Sequence, residues 1–191
     1  MGITIHSSLL VLLVSVVLAG CNDQAQRLPA PLEPTAESVS HFCGMLLAEH
    51  PGPKGQAFLK GRSEPVWFSS VSETVAYTML PDEPAGTAAI YVNDMGKAEN
   101  WNRPEPGTWV EASRAWYVLG SNRGGPAGMG DLRREPIPFG EESAAQRFRA
   151  EYGGRIVRFS EIPQDDILGS SSDADRSGKV RTDLGPAADN D

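Results

Sequence analysis

Cysteine, methionine and histidine crowd one short run, His41-Phe42-Cys43-Gly44-Met45. A thiolate, a thioether and an imidazole form a soft donor set that favours Cu(I) over hard cations, and the thioether argues against zinc. In an extended segment alternate side chains share a side, so His41, Cys43 and Met45 would face one way, with Gly44 leaving room between the two sulfurs. Met129 is a second candidate sulfur, flanked by Gly128 and Gly130 in a loop rather than on a periodic apolar stripe. Met95, beside Gly96, is a reserve, whereas Met79 has helical spacing with Val75 and reads as core. Plainer accounts stand beside metal binding. Cys43 also suits an inert buried thiol, and Met129 a loop side chain folded back over a sheet.

The amino terminus bears on how many thiols remain. Leu9 to Ala19 is apolar except for Ser15. That run is short of the roughly 20 residues a membrane span needs and suits a signal-peptide core. It ends in Leu18-Ala19-Gly20-Cys21, which resembles a bacterial lipobox, although His6 is the only polar ionisable residue before it. The expectation is a signal peptide over residues 1–20, lipid on Cys21, and a flexible tether over 21–38 containing Pro29, Pro31 and Pro34. Cys43 is then the one free thiol of the mature chain, so no internal disulfide can form. A free thiol in an oxidising compartment is a hazard unless it has a use or a bound partner.

The elements that must hold these donors lie in residues 39–168. Gln56 to Lys60 and Pro65 to Phe68 read as strands, Ser69 or Ser70 caps a helix bearing Val71, Val75, Tyr77 and Met79, and Thr87 to Val92 returns as a strand. The order recurs: Ala115 to Leu119, Pro136 to Phe139, a helix over Glu141 to Tyr152 ended by Gly153-Gly154, then Arg155 to Phe159. Glu64-Pro65-Val66-Trp67-Phe68 aligns without a gap on Glu135-Pro136-Ile137-Pro138-Phe139, each leading into a helix. These patterns predict an α+β fold of two related ββαβ units packed together, with small mixed or antiparallel sheets, one over 39–98 and one over 99–168. From Gly169 the acidic tail, 169–191, is too poor in large apolar groups to offset its ordering entropy and is expected to be disordered.

Composition excludes other functions. The 191 residues carry 17 Lys plus Arg against 25 Asp plus Glu, a net charge of −8, and no basic cluster marks a nucleic-acid surface. No Ser/His/Asp spacing, phosphate-binding glycine loop or carboxylate-histidine metal motif is present. An exported thiol-dependent enzyme remains the alternative, with Cys43 as nucleophile and His41 or His50 as base, together with a structural interaction lipoprotein that binds no metal.

Taken in order, the lipobox at Cys21, Phe42-Cys43-Gly44-Met45, Ala115-Trp116-Tyr117-Val118 with Gly120-Ser121, Gly128-Met129-Gly130, and Pro138-Phe139 followed by Phe148 and Gly153-Gly154 resemble the NosL family, accessory lipoproteins of nitrous oxide reductase maturation. The resemblance runs from Cys21 to about Ile162. It implies a lipoprotein on the periplasmic side of a bacterial membrane that binds one Cu(I) and passes it toward the reductase's copper centre. Cys43, Met45 and Met129 would be ligands, with His41 a less secure fourth. The implied partners are the Nos membrane transporter assembly and the reductase, and the implied fold is again two ββαβ units.

Overall fold

The computed structural model describes residues 28–81, 86–123 and 135–168. The leader, Cys21, Met129 and the acidic tail lie outside them. Among the described residues, seven strands and three α-helices follow in the order β1 (Gly55–Leu59), β2 (Val66–Phe68), α1 (Val71–Met79), β3 (Thr87–Asn93), β4 (Trp109–Glu111), β5 (Trp116–Leu119), β6 (Ile137–Phe139), α2 (Glu142–Tyr152), β7 (Arg155–Arg158) and α3 (Gln164–Leu168). One sheet has the order β2-β1-β3-β4 and the other β6-β5-β7. Every described strand pair is antiparallel.

The internal echo is structural. β2 begins at Val66 and β6 at Ile137, α1 at Val71 and α2 at Glu142, so the offset that aligns Glu64 on Glu135 also aligns the strand and helix starts. In each unit the first strand is flanked by the second and by the strand after the helix. The halves share a core: Val71, Val75 and Val92 of the first pack with Ala115, Tyr117, Leu119 and Val157 of the second. In this shared cluster each half covers apolar surface of the other, while Ala57, Phe68 and Tyr77 in the first half and Val118, Ile137, Ala145 and Phe148 in the second pack in clusters of their own. β4 marks where the division at residue 98 departs from the sheets, because it lies beyond that boundary yet pairs with β3, Val110 opposite Val92. The junction between sheets falls between Glu111 and Trp116.

α1 begins where a side chain satisfies a free amide. The Ser70 hydroxyl accepts from the Glu73 N–H at 3.1 Å, an N-cap that leaves Val71, Thr74 and Val75 on the buried face. α2 ends at Gly153, whose N–H donates to the Arg149 carbonyl at 2.8 Å.

Part of the segment expected as a tether, residues 29–33, is hydrogen-bonded to the rest of the chain. Gln56 is fully buried on β1, where its Oε1 accepts from the Leu32 N–H and its Nε2 donates to the Leu32 carbonyl, both at 2.9 Å. Tyr91, opposite Gln56 across the sheet, donates its hydroxyl to the Pro29 carbonyl at 2.6 Å. Glu33 accepts from the Gly107 N–H at 2.8 Å. Composition suggested a segment too poor in apolar groups to order itself, but side chains far along the chain satisfy its backbone instead. Gln56→Ala is expected to cost about 1–2 kcal/mol by stranding both Leu32 groups. Limited proteolysis would show faster cleavage between residues 28 and 36, with urea denaturation reporting the stability loss.

Candidate metal centre

The run that contains Cys43 is a turn, not an extended strand. Val39 and Leu46 form an antiparallel bridge. Inside it the Ser40 N–H donates to the Met45 carbonyl at 2.9 Å and the Gly44 N–H to the Ser40 carbonyl at 2.8 Å. Residues 41–43 form the turn, and Gly44 closes it at φ +67, a conformation that a side chain disfavours. The hairpin is attached to the edge strand β2, where the Trp67 carbonyl accepts from the His41 N–H at 2.8 Å, an edge acceptor otherwise left open.

This turn redistributes the predicted donors. Cys43 is exposed and is the free cysteine of the described residues. After the hairpin, a 3₁₀ turn over Leu47–Glu49 brings His50 back until its Nε2 lies 3.7 Å from the Cys43 sulfur. Met45 is exposed on the same hairpin. His41 goes elsewhere: its ring packs edge-on against Phe42, Phe68 and Tyr77, with centroids 5.1, 6.1 and 5.6 Å away. The parity argument for His41 assumed an extended chain, and the turn removes that assumption. His50 is the residue that sequence reasoning passed over as a ligand. The available cue was Gly44, which in a short polar-flanked run marks a turn.

Met95, the reserve donor, is buried in the second core with Ile137, Phe139 and Phe148, and Met79 packs on the shared core. Among the described residues no three His, Cys, Asp or Glu side chains cluster as metal ligands. The hairpin is apolar at its surface, with Val39, Phe42, Met45 and Leu46 all exposed. A cleft of about 320 Å³ opens beside it, lined by Leu47, Ala48, His50, Lys54, Pro104 and Trp109 among others. His50 therefore belongs both to this wall and to the thiol pair.

Behind the hairpin lies a buried charge set. Lys54 donates its ammonium to the Gly52 carbonyl at 2.6 Å. Burial pulls its amine down to about 8, against the opposing pull of Glu135 and Glu73. Glu135, from the second unit, accepts from the Val71 N–H at 2.7 Å and the Ser72 N–H at 3.3 Å, which caps α1 across the junction. Burial pushes its carboxyl above the usual range, while the hydrogen bonds from Ser72 and Val71 work the other way.

The NosL family profile matches residues 31–167. The copper-binding lipoprotein NosL of Achromobacter cycloclastes is 38% identical over 160 residues, 83% of this chain and 81% of that protein. The copper-binding lipoprotein NosL of Stutzerimonas stutzeri is 34% identical over 160 residues, 82% of this chain and 80% of that protein. Among solved structures, the crystal structure of the copper chaperone NosL from Shewanella denitrificans aligns with a TM-score of 0.63 at 30% identity, covering 71% of this chain and 97% of that one. These proteins are named for handling a metal, not for catalysis.

Proposed function

The chain belongs to the NosL family, and from that premise we propose that it is an exported, lipid-anchored carrier of one Cu(I) ion. Cys21 takes the lipid and holds the protein on the periplasmic side of its membrane. Cys43 anchors the ion as thiolate, Met45 and Met129 supply thioethers, and His50 takes the imidazole place first considered for His41. The ion passes toward the copper centre of nitrous oxide reductase, directly or through the Nos transporter assembly.

The observation that carries this reading is the approach of Cys43 and His50 on an exposed hairpin. Two donors 3.7 Å apart, with metal bonds of about 2.3 Å to sulfur and about 2.0 Å to nitrogen, subtend roughly 120° at the ion. That is near the angle of a three-coordinate site, whose third position either Met45 or Met129 would fill, the two thioethers exchanging there. Low coordination suits a carrier, because an entering donor from the recipient can bind before the last donor leaves. The same pair has the spacing of a nucleophile and its base, but the family's association with copper favours the metal.

The test is an anaerobic Cu(I) titration of the mature lipoprotein in detergent against a competing chromophoric chelator. One equivalent is expected, with Met45→Ala and His50→Ala each weakening affinity about tenfold or more, as loss of one donor of several should. Binding of no tight equivalent, or affinities unmoved in both variants, would sink the proposal. A strain lacking the protein should make a copper-depleted reductase, which separates delivery from simple storage.

A further inference from the structure

Ser40 spends all three of its polar groups on the hairpin and its support. Its N–H and carbonyl hold Met45 and Gly44, the two residues that follow Cys43. Its hydroxyl, on a residue only 1% exposed, donates to Glu73 Oε2 at 2.9 Å. That one carboxylate oxygen also accepts from the Ser69 N–H at 2.7 Å and the Ser69 hydroxyl at 2.8 Å.

The arrangement departs from an ordinary capping box. Glu73 is the third residue of α1, and Ser70 caps its N–H as expected. A glutamate in that place ordinarily reaches back to the N-cap amide. Here it reaches one residue further, to Ser69, and takes the Ser40 hydroxyl as well. The helix start serves a second purpose: it holds a loop from another part of the chain. Charge-assisted bonds of this kind are about twice as strong as neutral ones, and their donors Ser40 and Ser69 are buried.

We propose that Ser40 and Glu73 are positioning residues for copper binding. They fix the base of the hairpin so that Cys43 meets His50 and Met45 without reorganising when the ion arrives. Neither residue touches the ion. The inference rests on the copper reading of Cys43, and it adds that affinity depends on a carboxylate in α1 that donates no metal bond. Partners of this sort typically change metal affinity by about 10- to 100-fold.

The mature lipoprotein tests it with S40A, E73A, E73Q and C43A. Cu(I) affinity is measured by chelator competition, and amide hydrogen exchange of Gly44 is measured without copper. S40A and E73A are expected to weaken binding by roughly 10- to 100-fold and to speed Gly44 exchange at least about tenfold, while Val92 exchange in the sheet stays unchanged. E73Q keeps an acceptor oxygen and should restore most of both. Wild-type affinity and Gly44 exchange in S40A and E73A would overturn the proposal. So would equal acceleration at Gly44 and Val92, which would mean general destabilisation. Retention of copper by C43A would remove the copper reading instead, and the Gly44 exchange rates would still decide whether these residues hold the hairpin.

Discussion

Replacing Cys43 by alanine is expected to lower Cu(I) affinity by at least roughly a thousandfold, about 4 kcal/mol, with almost no effect on folding. The thiolate is the sole anionic soft donor of the proposed set, so its loss leaves only neutral thioether and imidazole groups. No described cysteine can replace it, and His41 is engaged with Phe42, Phe68 and Tyr77. Cys43 is exposed, and a substitution there should change stability by no more than about 0.5 kcal/mol. Chelator competition and a urea denaturation curve measure the two quantities on one preparation. An affinity within tenfold of wild type would mean that the ion is held elsewhere.

The second large effect is expected from Gly55→Ala. Gly55 sits on β1 between Phe68 and Val92 of the flanking strands, and α1 lies over it. A Cβ there would collide with Thr74 Oγ1 and come 2.9 Å from both Thr74 Cβ and Cγ2. Thr74 is fully buried, and its hydroxyl donates to the Ser70 carbonyl at 2.8 Å. Rotating its side chain cannot move Cβ, so the helix itself must lift from the sheet. Overpacking of this kind costs about 2–4 kcal/mol, which corresponds to a fall in Tm of roughly 10 °C. Adding Thr74→Ala removes two of the three clashing atoms and should recover part of the loss. A Gly55→Ala protein within about 0.5 kcal/mol of wild type would disprove the close approach.

Much of this architecture was legible where local signals agree with tertiary ones. The strands over Gly55–Leu59 and Thr87–Asn93 and the helices over Val71–Met79 and Glu142–Tyr152 are bounded by caps, glycines and prolines, and their apolar spacing matches the faces they bury. β4 was not legible. Three residues, Trp109–Glu111, are too few to show alternation, and only pairing with β3 makes them a strand. The docking of Pro29 to Glu33 also escaped, because a buried glutamine in β1 that supplies a neighbour's missing hydrogen bonds leaves no periodic trace. The proposed donor set is legible in the sequence only in part. Cys43 and Met45 declare themselves by type, but His50 meets Cys43 only through a turn and a 3₁₀ segment. Their combined geometry cannot be read from spacing.

The pinning of Pro29 by Tyr91 sets the length of the leash. With Cys21 lipidated as proposed, eight peptide units separate the acyl chains from the first fixed point. At about 3.3–3.6 Å each, they reach no further than roughly 26–29 Å. A freely jointed spacer running to residue 38 would have swept a much larger volume. With that anchor, the short leash would keep the domain in a thin shell over the bilayer. If copper is handed on as proposed, a recipient would have to offer its copper entrance within one leash and one domain width of the lipid surface, and a soluble protein diffusing above that layer would have to descend to be served.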